Sequence, residues 1–352
     1  AELEAAIDLL GSSISFSAGL EGMYVSGNTL ERNFDETVAL VTEMLTEPRW
    51  DERAFEIVKN RRINTIKQRK TNAQSVAFNA LSKQLYGEGH PASTPVGGTE
   101  KSVQSITMND IKDYFNENIS PQVSHFHVAG KMTQRSIEKS LKQLSQNWVG
   151  SDVEIPEIKT SKPPVRSQVY FIDIPGAKQS AITLGTLSIP GGNPELYKYS
   201  VVNNRLGGGM EARLMRTLRL EKGYTYGAGS FFRENSYQTP FYAYSQVRSN
   251  VTLESLEIFK NIINSYAESY NSEDLELTKN KLIKQNALRF ERLGSLLNML
   301  DTISKFNFPD TYIQEQQDVL RSMNLEDAKS IAQSEFNADK MYFVIAGDAK
   351  TQ

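Results

Sequence analysis

Ser105–Phe126 and Ser322–Phe343 align without a gap, 217 residues apart, and this repeat constrains the fold of the chain more tightly than any other feature. Asp110 meets Asp327, Lys112 meets Lys329, and Phe126-His-Val-Ala-Gly130 meets Phe343-Val-Ile-Ala-Gly347. Each copy reads as a short helix followed by a strand ending in Ala-Gly. Farther up the chain, Asn33–Leu40 resembles Val251–Ile258, and Lys59-Asn60 faces Lys279-Asn280 at an offset of 220. Changes in loop length account for the small drift. Solenoid repeats have periods of at most about 50 residues, so a period this long means a duplicated domain.

The join falls in Val149–Arg166, which carries Pro156, Pro163 and Pro164 without apolar periodicity and reads as a linker. This predicts a first domain over 1–150, a linker over 151–166 and a second domain over 167–352. In the second half, Val169–Ile174, Ser180–Leu187, Tyr226–Phe232 and Phe241–Val247 read as strands, and Glu195–Leu206 and Met210–Leu220 as helices. Grouped strands followed by grouped helices argue α+β: two homologous domains, each a mainly antiparallel sheet with helices packed on one face. The second copy begins near Gln168, whose counterpart would lie on the order of fifty residues before Ala1. At the other end, Gly130 is followed by a helix over Gln134–Trp148, whereas Gly347 is followed by only five residues. Both domains therefore read as truncated, the first N-terminally and the second C-terminally, and the chain is expected to be a fragment.

At 352 residues, 39% hydrophobic and 23% charged, the composition is that of a globular protein. A formal net charge of −3 provides no general attraction to nucleic acid or anionic lipid. No apolar run approaches the roughly 20 residues of a membrane span. Without cysteine there are no disulfides, no thiol catalysis and no thiolate metal site, and three histidines leave little material for any other.

The chemistry-bearing residues concentrate in Leu206–Gly227, LGGGMEARLMRTLRLEKGYTYG. Three consecutive glycines suit neither a helix nor a strand interior, so Gly207, Gly208 and Gly209 read as a loop. Met210, Leu214, Met215 and Leu218 then recur at helical spacing, with Glu211, Arg213, Arg216 and Arg219 on the other faces. Gly223 suits the position just past a helix end, and Tyr224–Tyr226 reads as β. Arg219 and Tyr226 thus lie seven residues apart across a helix-to-strand junction. One reading makes them an ordinary last-turn arginine and an ordinary strand aromatic. The other has the guanidinium fork and the phenol hydroxyl converge on one polarised group, such as a peptide carbonyl.

The same residues carry a resemblance. Leu206–Leu214 followed by Leu218–Gly227 is similar to the second half of the insulinase/pitrilysin family of zinc peptidases, which includes the mitochondrial processing peptidases. Tyr170–Ser180 and the two Ala-Gly strand ends fit as well, so the resemblance spans almost the whole chain. It implies two homologous α+β domains forming one half of a chamber around the scissile peptide. One half of such an enzyme carries a His-x-x-Glu-His helix and a downstream Glu that bind zinc; the other supplies an arginine and a tyrosine seven residues apart. Arg219 and Tyr226 match that pair. The resemblance implies that they orient the substrate carbonyl and stabilise the tetrahedral intermediate, with Gly207, Gly208 and Gly209 near the substrate.

The zinc motif itself does not occur. Two histidines at i and i+4 share a helix face and can chelate zinc, and no such pair exists in this chain. The motif's place in the first copy would fall upstream of Ala1. The downstream Glu should lie in Phe55–Lys70, where nothing after Glu56 is acidic and the register puts Ile66 or Lys67 at the ligand position. The first copy therefore reads as non-metal-binding, with no cofactor in this chain and zinc expected in a partner half. His125 and His127, at i and i+2, read as a structural strand pair, and His90 as a loop residue. Lys59, Arg61, Arg62, Lys67, Arg69 and Lys70 form a basic stripe opposite Phe55, Val58, Ile63 and Ile66, either a solvated helix face or a wall that attracts acidic peptides or an acidic partner. No nucleic-acid recognition signature accompanies it.

The expected role is the Arg/Tyr half of a two-part zinc metalloendopeptidase, inactive alone, that binds a peptide substrate with a homologous zinc-binding half, a separate chain or the rest of a longer one. The alternative is a non-catalytic structural or assembly subunit of the same family. A self-sufficient zinc protease would require a ligand Glu that this sequence does not offer. The chain is read as bacterial, with the periplasm favoured over the cytoplasm.

Overall fold

The computed structural model describes residues 2–351. Four pairs of helices carry the duplication. The helices Phe34–Thr46 and Thr252–Asn264 have 13 residues each, Glu52–Arg69 and Ser272–Arg289 have 18, Ala73–Tyr86 and Leu293–Phe306 have 14, and Met108–Asn118 and Leu325–Glu335 have 11. Even the start signals recur. Thr107 with Asp110, and Asn324 with Asp327, each form a capping box at the fourth pair, satisfying amide donors that a helix end leaves unpaired.

Contacts divide the chain into two compact units: residues 1–66, 96–157 and 290–304 form one, and 67–95, 158–289 and 305–352 the other. Neither follows chain order. The 73–86 helix of the first copy belongs to the second unit, and most of its counterpart, 293–306, belongs to the first.

The first unit holds a two-stranded antiparallel hairpin, β1 (Ser13–Ala18) and β2 (Met23–Asn28), together with helices. Phe16 pairs with Val25 and Ala18 with Met23, so alternation places these apolar residues on one face and serines on the other. Phe126–Gly130, expected as a strand, has no regular structure. A strand exists only beside a partner; the equivalent Tyr342–Gly347 lies between two strands, whereas among the described residues no strand pairs with Phe126–Gly130. Val149–Arg166 likewise contains no helix or strand.

The second unit is built on a five-stranded sheet: β3 (Gln168–Asp173), β4 (Gln179–Leu187), β5 (Thr225–Phe232), β6 (Pro240–Arg248) and β7 (Tyr342–Gly347), in the order β3-β7-β4-β6-β5. The β3–β7 pair is parallel and the rest antiparallel. One face, carrying Ile182, Leu184, Phe241, Ala243, Phe343 and Ile345, joins the main core with residues of helices 195–207, 252–264 and 325–335. The opposite face is covered by the 73–86 helix. Leu81 of that helix is fully buried, and Phe78 lies 5.5 Å from the Tyr242 ring and 6.5 Å from Phe231. Thus the second copy's own helices keep to one face, as the α+β reading requires, and the first copy supplies the cover for the other. Gly185 is part of this fit, since a Cβ there would meet the Phe241 carbonyl oxygen at 2.3 Å and Leu81 at 3.4 Å.

Truncating Leu81 removes buried methyl groups and leaves a cavity between helix and sheet. Leu81→Ala is expected to destabilise the protein by about 2–5 kcal/mol, read as a lowered urea midpoint with an unchanged slope.

Candidate functional site

The glycine segment begins inside a helix. The 195–207 helix runs through Gly207, with Gly208 as its cap, and only Gly209, at φ +152°, lies in the region that favours glycine. Gly207 is dictated by packing, because a Cβ would lie 2.1 Å from the Ser230 amide nitrogen of β5. Helix and strand meet at backbone distance there, and Asn203 locks the contact. Its side-chain amide donates to the Ser230 carbonyl oxygen at 2.9 Å, and its own oxygen accepts from the Ser230 hydroxyl at 2.5 Å. Lys281 secures the cap by donating to the Gly208 carbonyl oxygen at 3.2 Å and to Asn204 Oδ1 at 3.1 Å.

The helix expected over Met210–Leu220 is shorter and differently wound. Residues 210–212 turn, with the Ala212 N–H bonded back to the Gly209 carbonyl oxygen at 3.1 Å. A single α turn, Arg213–Met215, then passes into a π-helical segment, Arg216–Glu221. Here the Lys222 N–H reaches the Thr217 carbonyl oxygen at 3.0 Å and the Tyr224 N–H that of Leu218 at 2.8 Å. Such segments are uncommon and recur at functional sites.

The arginines of this stretch differ in their partners. Arg205 and Arg213 both bind the buried Asp274, at 3.0 Å and 2.6 Å, and Arg213 also stacks over the Tyr266 ring. Arg216 pairs with Glu221 at 3.1 Å. Arg219, among the described residues, has no carboxylate partner; its Nη1 approaches only the Met210 sulfur, at 3.6 Å, a weak acceptor. Its permanent positive charge is left available.

Tyr226 sits in a β-bulge on β5, an edge strand of the sheet. Thr225 faces Val247 and Ala228 faces Ser245, so β5 has one residue more than β6 across this step. Two hydroxyls fix the irregularity. Thr225 Oγ1 donates to the Gln246 carbonyl oxygen at 2.6 Å and accepts from the Gly227 N–H at 3.0 Å, while Ser245 donates to the Gly227 carbonyl oxygen at 2.9 Å. Bulges re-aim side chains, and Tyr226 is 87% exposed. It lines an open pocket of about 330 Å³ together with Gln74, Gln179, Met215, Tyr244 and Gln246.

The candidate residues are therefore near one another in sequence and borne by adjacent elements, but no hydrogen bond joins Arg219 to Tyr226 among the described residues, and Arg219 does not line the pocket. Of the glycines, Gly207 packs against β5 and Gly208 and Gly209 lie beside Lys281. Sequence reasoning missed Thr225 and Ser245. The available signal was Gly227, since a glycine inside a strand often marks a bulge. Gln74 gave no local signal, because it comes from the other copy.

Of the two positions that the register offers for the downstream ligand, Ile66 or Lys67, Ile66 packs with Ile63 and Val103 in a small core. Among the described residues no group of three or more His, Asp or Glu is placed to hold a metal ion. His125 and His127 stack with ring centroids 6.2 Å apart. His90 caps a short 3₁₀ turn, with Nδ1 accepting from the Ala92 N–H at 3.0 Å and Nε2 donating to the Lys159 carbonyl oxygen at 2.9 Å, so both nitrogens are used.

The family profile described as the peptidase M16 inactive domain matches residues 105–282, half of the chain. The chain belongs to the M16 family. This is the insulinase/pitrilysin family, in which zinc belongs to the active half. A relative named non-peptidase homolog YmxG from Helicobacter pylori is 22% identical over 96% of this chain and 78% of its own length. Another, named uncharacterized zinc protease YmxG from Bacillus subtilis, is also 22% identical, over 96% of this chain and 81% of its own. A crystal structure of a peptidase M16 inactive domain from Pseudomonas fluorescens superposes with a TM-score of 0.91 at 22% identity, covering 99% of this chain and 84% of that one. Likeness at this identity establishes the M16 fold. Among the described residues no helix is long and apolar enough to cross a membrane.

Gly207→Ala is expected to cost about 1–3 kcal/mol or more through overpacking against Ser230, seen as a lowered thermal midpoint. Gly227→Ala, where an added Cβ meets nothing within 4 Å, should leave the midpoint nearly unchanged.

Proposed function

We propose that this M16 inactive domain is the substrate-clamping half of a two-part zinc metalloendopeptidase, with Arg219 and Tyr226 acting on the scissile peptide. The observation that carries the reading is the contrast in partners: three neighbouring arginines are neutralised by carboxylates, and Arg219 is not. The bulge adds to it by turning Tyr226 outward on an edge strand, where an extended peptide can add to the sheet. A guanidinium and a phenol hydroxyl both offer N–H or O–H donors, which suits a carbonyl oxygen that gains negative charge as it becomes an oxyanion. The zinc-bearing half supplies the metal, the general base and the activated water. Closure of the pair over a peptide would bring Arg219 from the Met210 sulfur to the carbonyl.

A second reading, a non-catalytic assembly subunit, is favoured by the H. pylori relative's name, non-peptidase homolog. A scaffold has no use for an unneutralised arginine and a re-aimed tyrosine on adjacent elements, and it should bind its partner but no peptide.

Arg219→Ala and Tyr226→Phe are each expected to lower kcat of the reconstituted pair by about 10²–10³, the range seen when one oxyanion donor is removed. Co-elution of the two halves on size exclusion should be unchanged. Near wild-type turnover in both variants would rule the role out.

A further inference from the structure

The pocket beside Tyr226 has a composition that its neighbours do not require. Gln179 and Gln246 lie on one face of the sheet with Tyr244, because Ala181 pairs with Gln246 and Thr183 with Tyr244 in the antiparallel register, and alternate residues share a face. This is the face covered by the 73–86 helix, whose Phe78 lies 6.0 Å from the Tyr244 ring. Gln74 stands one turn before Phe78 and so projects from the same side of the helix. Cover ends there, and the bulge holding Tyr226 forms the remaining wall. Three carboxamides from three elements, far apart in the chain, thus converge on one cavity.

No charged side chain lines the cavity. Among the described residues, none of the three carboxamides spends its hydrogen bonds within the protein, whereas Asn203, in the 195–207 helix, spends both donor and acceptor on Ser230. A carboxamide both donates and accepts and does not ionise. Its matching ligand is a group with the same mixed pattern. A charged side chain would meet no opposite charge here, and an aliphatic one would give the amides nothing to bond. At about 330 Å³ the open pocket is at the lower end of the ~300–1,000 Å³ range of small-ligand sites, with room for a peptide side chain and the backbone beside it.

The geometry points to a specificity pocket for an uncharged, hydrogen-bonding side chain of the bound peptide, glutamine or asparagine, formed by Gln74, Gln179 and Gln246 next to Tyr226. This rests on the reading that a peptide binds at Tyr226, and it names which residue of that peptide is selected. The clamp acts on the backbone carbonyl, common to every peptide; the carboxamides read the side chain beside it.

The test uses the full chain and four fluorescein-labelled, alanine-rich decapeptides differing only in a central Gln, Glu, Lys or Leu, followed by fluorescence anisotropy. The Gln peptide is expected to bind about tenfold more tightly than the other three, the scale of one well-formed hydrogen bond. Gln246→Glu and Gln74→Glu should each move the preference to the Lys peptide. Gln74→Glu places an acidic residue in the first turn of a helix, where it is tolerated, and so guards against a folding defect at Gln246. Equal affinity for the four peptides, while Tyr226→Phe still lowers turnover of the reconstituted pair, would remove the pocket and leave the clamp standing. A Gln preference that neither Glu variant alters would also overturn the assignment. Failure of all four peptides to bind would take down the clamp and the pocket together.

Discussion

A methyl group on residue 207 would lie 2.1 Å from the Ser230 amide nitrogen, so the 195–207 helix can meet β5 only if it ends in glycine. Everything around the candidate site follows from that contact. It fixes where the chain leaves the helix, and the Lys281 bonds to Asn204 and Gly208 fix the direction in which it leaves. Ten residues separate Gly208 from Arg219, too few to wander, and Asp274 ties down an arginine on either side of Gly208, Arg205 and Arg213. A buried carboxylate paired with two guanidiniums is costly to break, because removing either partner leaves a desolvated charge. The π-helical segment and the bulge then decide the last few ångströms on either side of Gly223.

Such a layout separates rigidity from availability. The groups that build the wall are saturated: Asn203 with Ser230, Arg213 with Asp274 and Ser269, Thr225 with the bulge backbone. The groups that face outward are not. Among the described residues, Arg219 bonds only to a sulfur, and Tyr226 is 87% exposed. An M16 inactive domain that had become pure scaffold would be under no physical pressure to keep that contrast, since an unneutralised guanidinium adds nothing to packing.

Much of this was legible in the sequence, and the gaps have physical causes. The duplication was readable because helices are local: their periodicity survives at offsets of 217 to 220, and the structure repeats them at equal lengths. Phe126–Gly130 misled because a strand is a non-local object whose existence depends on a neighbour the segment itself does not encode. Glycine's backbone entropy argues for a loop at Gly207, but close approach to β5 outweighs that cost. Helical spacing of Met210, Leu214, Met215 and Leu218 cannot distinguish an α turn from a π turn, which differ by one residue in their hydrogen bonds. The carboxamide pocket was beyond reach, as it joins residue 74 to residues 179 and 246 through the cover that one copy lends the other. The Arg219 and Tyr226 assignment came from spacing and resemblance; the missing carboxylate and the bulge are what the coordinates add.

The central claim is that Arg219 and Tyr226 converge on one peptide carbonyl. The most direct measurement is a structure of the reconstituted pair holding an uncleaved peptide, with the partner's general base replaced so that turnover stops. The account predicts both the Arg219 guanidinium and the Tyr226 hydroxyl within hydrogen-bonding distance, about 2.7–3.2 Å, of the same carbonyl oxygen, with Met210 released. A trapped peptide whose scissile carbonyl touches neither group would contradict it.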